Sequence, residues 1–531
     1  MGVFLILFFA AVLLLAIFFR FRAYKDQLYF ESKGIPYQGN GSYRMMVNMY
    51  KGVGLIEGIT MMYNKLKSEN KKVVGSKDLG MCTLTILDPA LIRSVLVKDF
   101  DHFADRRQFK TLKNDVIFAK MLIALRGGQW KALRSKLSPT FTTGKIKRVF
   151  PMFNESGKKL VTFVENEMAL SSGMEIDLMD GYSKFTMDVI ASAVCGIDSQ
   201  AFNQKEPSLF ERMGMKMQLQ FGGAQLAKLL VMLMSPRIAN LLGFSFFELE
   251  VQEFFSHAIK SSIHHRQENN EKRNDFIQLM LEAREDKLKT DESELDAFEK
   301  DAIIKSGGTE NGEKTGSGDL LDDDGIVANA VLFMLAGYDT TQSLLLYCAY
   351  ALALNQEVQD KLRNEVGTLL ENDGELTYET LNKMQYLDMV LNETLRFYPP
   401  AGATDRGCTM DYKVPGTDFI LKKGQGIMIP IYGLHHDPEY YPEPEKFDPE
   451  RFSPENKGKI NQYVYLPFGA GPRNCIGMRF ALAEVKVAIA HLVHNFMIEP
   501  SKKTLIPMKF SKASSLKPDG GMFLALNKIQ H

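Results

Sequence analysis

Cysteine is scarce in this sequence: Cys82, Cys195, Cys348, Cys408 and Cys475 are the only five among 531 residues. An odd, scattered set excludes a disulfide framework, and no two stand close enough for a zinc site. Most of them read as small buried hydrophobes in a reducing compartment. Net charge is lacking as well. The 64 Lys and Arg balance 64 Asp and Glu, without the basic excess of a nucleic-acid binder. Tryptophan occurs once, as Trp130. No segment repeats. What is present is ordinary: 45% apolar and 24% charged residues, enough for a large core.

Only one apolar run is long. Val3 to Phe19 holds 17 apolar residues without a charge, followed by Arg20, Arg22 and Lys25. That is the short end of a membrane-spanning helix. The basic residues on its C-terminal side place the rest of the chain in the cytosol. A cleaved signal peptide is the rival reading, but the run has no basic start and ends in Phe and Arg rather than small residues. Residues 1–22 are therefore expected to be a signal anchor. The N-x-S/T matches at Asn40, Asn154 and Asn392 then stay unglycosylated.

Length alone suggests three or four domains at roughly 150 residues each. The glycines and proline of 23–42 read as a hinge after the anchor. Residues 73–89 read as a hairpin, 90–400 as mostly helix, 408–432 as short strands, 435–475 as ordered turns, and 481–496 as helix. Residues 284–325, mostly charge, Gly, Ser and Thr, read as a disordered surface insertion. Chemical motifs fall on both sides of it, which favours one domain over 43–531. The stretch KLLVMLM (228–234), with Phe244, Phe246 and Phe247, is either a core helix or a membrane-dipping surface.

The densest motif is PFGAGPRNCIG, Pro467–Gly477. Phe468, Gly471, Arg473, Cys475 and Gly477 fit F-x-x-G-x-R-x-C-x-G. Five fixed positions at about 5% each arise by chance in such a chain roughly once in ten thousand. A thiolate held against a metal needs a backbone that turns tightly, hence Gly469, Gly471 and Gly477. N–H groups near the sulfur, and a helix starting near Gly477, damp its basicity. Arg473 is a fixed cation for a carboxylate such as a haem propionate.

A second motif lies in LFMLAGYDTTQSLLL (332–346). Small Ala336 and Gly337 let a ligand approach the helix, the Thr340 hydroxyl bonds a preceding carbonyl, and Asp339 beside it can relay protons. Glu393 and Arg396, three apart, share a helix face. Trp130 and Arg134, four apart, can reach one carboxylate. The run 130–148 is basic, through Lys131, Arg134, Lys136, Lys145, Lys147 and Arg148, and reads as a solvated face.

The Cys475 loop resembles the haem-binding signature of the cytochrome P-450 superfamily, and the resemblance spans nearly the whole chain. It implies a mainly α fold with small β-sheets, a single triangular-prism domain behind the anchor. It implies haem b, with Cys475 as the iron ligand and Phe468, Gly469, Arg473 and Gly477 around it. Ala336 would face the haem, with Asp339 and Thr340 as the acid–alcohol pair. Trp130, Arg134, Arg106 and Arg406 would hold the propionates. Glu393, Arg396 and Arg451 would be structural. Residues 107–126, 206–245, 332–340 and 400–406 would line an apolar pocket that includes Phe118, Phe221, Phe333 and Leu335.

The implied activity is monooxygenation of lipophilic molecules with O2 and electrons from NADPH. An acidic flavoprotein reductase would dock on the basic face, with cytochrome b5 as an additional partner, at the endoplasmic reticulum membrane. The segments LRSKLSPTFT and EPEKFDPERF are most similar to the microsomal branch that oxidises foreign compounds; a hormone or fatty acid is the alternative substrate. Competing readings are a haem-thiolate isomerase or dehydratase, which the Asp339–Thr340 pair disfavours, and a non-catalytic haem sensor.

Overall fold

The computed structural model describes residues 17, 20–78, 81–107, 111–171, 175–203, 207–217, 225, 228–229, 231–232, 235–285, 287–288, 319–511 and 517–530. It divides into two compact units, one from residues 1–108 with 402–434, the other from 109–401 with 435–531.

The first unit is built on a five-stranded sheet: β1 (Tyr37–Asn40), β2 (Val73–Asp78), β3 (Met81–Ile86), β8 (Gly426–Ile429) and β5 (Thr404–Gly407), in that spatial order. β2 and β3 form the expected hairpin, in register from Val73 opposite Ile86 to Asp78 opposite Met81. β3 is buried from Cys82 to Ile86, which suits its run of β-branched and apolar residues. Helices α1 (Gly41–Tyr50) and α2 (Leu55–Ser68) accompany the sheet; α2 buries Ile56, Tyr63 and Leu66 along one face.

Much of the 23–42 segment takes regular secondary structure. Residues 20–31 are helical, and Tyr37–Asn40 join the sheet beside β2. The reason is Phe30, fully buried and stacked 5.3 Å from Tyr37 and 5.2 Å from Phe419. Its ring lies so close to Gly75 that a Cβ there would come within 2.3 Å. An aromatic anchor outweighs the local glycines.

The second unit is mainly helical. Its longer helices are α3 (Gly127–Leu137), α4 (Thr143–Ser171), α5 (Leu178–Ile190), α6 (Leu249–Asn269), α7 (Phe276–Arg284), α8 (Asp323–Leu354), α9 (Gln356–Asp373), α10 (Gln385–Phe397) and α11 (Met478–Asn495). α8 is the central one. It is apolar on nearly all sides and largely buried, as a helix enclosed by others must be. Asp322 caps it through Gly325 N–H at 2.7 Å. Asp323 and Asp324 in its first turn suit the positive end of the helix dipole. A three-stranded sheet, β4 (Ile176–Asp177), β10 (Phe523–Lys528) and β9 (Phe496–Pro500), completes the unit.

The expected insertion 284–325 is narrower than its composition suggests. Arg284 closes α7 and pairs with Asp323, and α8 begins at that residue. Residues 289–318 lie outside the described residues. Most of the expected anchor, 1–22, lies outside them too, as do residues 230, 233 and 234 of the 228–234 stretch. Among the described residues no helix is long and apolar enough to cross a membrane. Phe247 is buried and Phe246 half-buried, with Phe118 stacked 4.4 Å from Phe246.

Candidate functional site

The cysteines sort themselves by exposure. Cys82, Cys195, Cys348 and Cys408 are buried, and Cys475 is exposed. Burial pushes the thiols of Cys195 and Cys348 up to about 12 and that of Cys408 to about 11, so they remain protonated and inert at neutral pH.

Cys475 sits in a loop that doubles back on itself. Its N–H bonds the Phe468 carbonyl at 2.9 Å, Asn474 N–H bonds Gly471 at 3.0 Å, and Gly469 N–H bonds Leu466 at 3.0 Å. Gly469 and Gly471 have φ of 71° and 76°, in the left-handed region. A side chain at either would strain the turn. Gly477, at φ −89°, is instead the cap residue of α11.

α3 grips this loop from the side. Arg134 donates to the Asn474 carbonyl at 3.1 Å and to its side-chain oxygen at 2.9 Å. Arg473 donates to the carbonyls of Ile123 and Leu125, and its guanidinium lies 4.6 Å over the Trp130 ring. All three side chains are buried. Arg134 is therefore not part of a solvated basic face. Nor is 130–148 one helix, since a 3-10 turn at Ser138–Phe141 separates α3 from α4. Counting charges on a helix does not reveal which way one of them points.

On α8, Ala336 and Thr340 are exposed, one turn apart, on a helix otherwise mostly buried. Thr340 Oγ1 donates to the Ala336 carbonyl at 2.6 Å, as expected. A Cβ at Gly337 would meet Ile190 of α5 at 3.1 Å, so this glycine lets two helices pack. Asp339 is mostly buried and lies 3.5 Å from Lys517. Burial raises its carboxyl's pKa, and Lys517 pulls it back down. Phe333 packs against Phe141 and Phe276; Phe221 lies outside the described residues.

Glu393 and Arg396 of α10 form a buried two-point pair, with both nitrogen–oxygen distances 2.8 Å. Arg451 stands 3.5 Å from Glu393, and Asp448 N–H donates to the same carboxylate at 2.9 Å. The expected triad is thus assembled. Sequence reasoning missed its extension, His435. Its Nε2 accepts from Leu466 N–H at 2.9 Å, which leaves the proton on Nδ1, facing the Arg396 carbonyl at 3.2 Å. Arg396 in turn donates to the His435 carbonyl at 3.0 Å. His435 therefore ties the pair to the residue that opens the Cys475 loop. Burial holds its pKa down at about 3. Its only sequence signal is the proline-rich turn that follows it.

Arg106 and Arg406 lie in the first unit. Arg106 stands 3.4 Å from Asp405, and buried Arg406 donates to the Asp405 carbonyl at 2.8 Å.

The donor chemistry fits haem. Among the described residues no three His, Cys, Asp or Glu gather as a metal-binding group. Cys475 thus offers one soft ligand, which suits an iron whose other ligands come from a macrocycle. The exposed Ala336–Thr340 face suits an apolar ligand.

Comparison with known proteins agrees. The family model described as Cytochrome P450 matches residues 45–525. Among curated relatives, Cytochrome P450 9e2 of Blattella germanica is 39% identical over 512 residues, 93% of this chain and 92% of the relative. Cytochrome P450 3A13 of Mus musculus is 37% identical over 456 residues, 85% of this chain and 84% of the relative. Probable cytochrome P450 6a13 of Drosophila melanogaster is 38% identical over 435 residues, 82% of this chain and 81% of the relative.

Proposed function

The chain belongs to the cytochrome P450 family, and on that premise we propose that Cys475, Thr340 and Asp339 carry a haem-dependent monooxygenation of lipophilic small molecules, foreign compounds first among them. The observation that carries this reading is the exposed Cys475 thiol in a loop braced by Arg134.

Haem held there supplies the oxygen activation and the oxidation of the substrate. The chain's own residues do the rest. Cys475 is the thiolate ligand, kept in place by the Arg134–Asn474 bonds and the two left-handed glycines. Trp130, Arg134 and Arg473 are the candidates for the haem carboxylates. Thr340 holds its hydroxyl on the exposed side of α8, and Asp339 takes protons from solvent and passes them toward it. Glu393, Arg396, Arg451 and His435 fix the backbone that leads into the loop.

Electrons come from a redox partner. The face that would receive it carries Lys131, Lys136, Lys145, Lys147 and Arg148. It continues into a cleft of about 150 Å³ lined by Lys145, Arg148, Lys272 and Arg273 against Asp275 and Glu282, and Lys147 pairs with Glu379. That excess of cations suits an acidic reductase. The apolar run 3–19 with its flanking arginines supports anchoring in the endoplasmic reticulum membrane, the bulk facing the cytosol. The substrate class follows the relatives and the apolar side chains near α8.

The deciding measurement is the spectrum of the reduced, CO-bound protein. A strongly red-shifted Soret band is expected, and Cys475→Ser should abolish it. A histidine-type band in the native protein would end the reading. NADPH-dependent oxygen uptake with reductase then separates a monooxygenase from a redox-neutral isomerase.

A further inference from the structure

The carboxyl of Asp339 is an unusual group to leave inside a protein. Its Oδ1 is buried and makes no hydrogen bond, a situation that disfavours the charged form. The hydroxyls nearest to it in sequence do not help. Thr340 Oγ1 bonds the Ala336 carbonyl, and Ser343 Oγ bonds the Asp339 carbonyl at 2.7 Å.

One cation answers it, and it comes from far along the chain. Lys517 lies beside residues 509–511, joined to them by Ser511 N–H to the Lys517 carbonyl and Asp519 N–H to the Lys509 carbonyl, both 2.8 Å. Phe510 pairs with Pro518. The Phe510 ring packs 5.8 Å from Tyr347, two turns further along α8. The backbone pairing that carries Lys517 is thus held against the same helix that carries Asp339. The lysine is 24% exposed and the aspartate 15%, so the pair sits where the protein meets solvent.

We propose that Lys517 is a positioning residue for the distal acid: its ammonium keeps Asp339 a carboxylate, ready to take a proton from solvent and release it toward Thr340. This rests on the reading of Asp339 and Thr340 as proton carriers. The transfer balances as one proton gained from water by the carboxylate and one released on the Thr340 side.

Among the described residues, Lys517 is the charged group that acts on Asp339. Charges on neighbouring elements are engaged elsewhere. Asp180 of α5 and Glu211 act on Tyr338. Lys184 donates to the Ala201 carbonyl, and Lys486 of α11 pairs with Asp388. Tyr338 itself bonds Ser183, and burial pushes its phenol up to about 12, so it stays neutral. Loss of Lys517 leaves burial unopposed, and Asp339 then ionises only at higher pH.

The test compares Lys517→Met, Lys517→Arg and Asp339→Asn in the haem-loaded full chain. The first readout needs no turnover: the infrared C=O band of a protonated carboxyl. In difference spectra against the native protein at pH 7, which subtract carboxyls protonated in both such as buried Glu484, a new band should appear in Lys517→Met and be absent in Lys517→Arg and in Lys517→Met combined with Asp339→Asn. The second readout is product formed per NADPH against pH. Its acid limb should move up by about one pH unit or more in Lys517→Met, with peroxide rising as product falls, and return in Lys517→Arg.

No new band and an unmoved limb in Lys517→Met would overturn the proposal. A new band with coupling unchanged in both Lys517→Met and Asp339→Asn would instead sink the proton-carrier reading, and Lys517's part in the reaction with it.

Discussion

His435 shows how much a single side chain can hold. Fully buried, it accepts from Leu466 through Nε2, which requires the neutral ring, and its Nδ1 faces the Arg396 carbonyl. Its folded pKa of about 3 lies below the ordinary 6.5. Between those values the unfolded chain binds a proton that the folded chain refuses. Its contribution is therefore complete above pH 6.5 and is lost as pH falls toward 3, up to roughly 5 kcal/mol. Urea unfolding at a series of pH values should show this slope, and His435→Gln should flatten it. An unchanged slope would mean the imidazole is not held neutral. Thr340 makes the opposite case, a residue that matters to chemistry and little to folding. Thr340→Ala should keep haem content and stability within about 0.5 kcal/mol. It should cut product per electron by about tenfold, with peroxide in its place. Unaltered coupling would count against the proton path.

At the scale of elements, two braces hold the Cys475 loop: α3 through Arg134, and α10 through Arg396 and His435. The second contains a fully buried ion pair. Removing one partner leaves the other charged without a counterion, which costs about 3–5 kcal/mol. Glu393→Ala should therefore lower unfolding stability by that amount and reduce haem retention. Retention equal to the native protein would show that α3 alone suffices. The motif spacings announced both braces in part. Glu393 and Arg396 share a face at three residues' separation, as the helix geometry demands. Arg134's inward turn was not legible, because its partner Asn474 lies 340 residues away. Nor was Gly337's role, which depends on Ile190 of another helix.

For the whole molecule, balanced charge conceals a local excess. The total is 64 against 64, yet Lys145, Arg148, Lys272 and Arg273 meet at one cleft. Attraction between exposed charges fades beyond a Debye length of about 8 Å at physiological salt. The rate of reduction by an acidic flavoprotein should therefore fall as salt rises. Lys145→Glu with Arg148→Glu should weaken that dependence and slow reduction severalfold, leaving the CO spectrum unchanged. A salt-independent rate would place the docking surface elsewhere.

The sequence by itself determined the chemistry: a cysteine among glycines at a rare spacing, an acid beside an alcohol on an apolar helix, a glutamate and arginine one turn apart. Local patterns suffice there, because each motif's geometry is set within a few residues of backbone. It also determined the β2–β3 hairpin and the central helix, through short-range periodicity. Tertiary structure decided the rest. It made a strand and helix of the glycine-bearing segment at 23–42, because Phe30 found Tyr37 and Phe419. It turned Arg134 inward, and it brought His435 to the loop and Lys517 to Asp339. Those contacts join residues tens to hundreds of positions apart, and the direction of a side chain over such a span is set by packing, which no local pattern encodes.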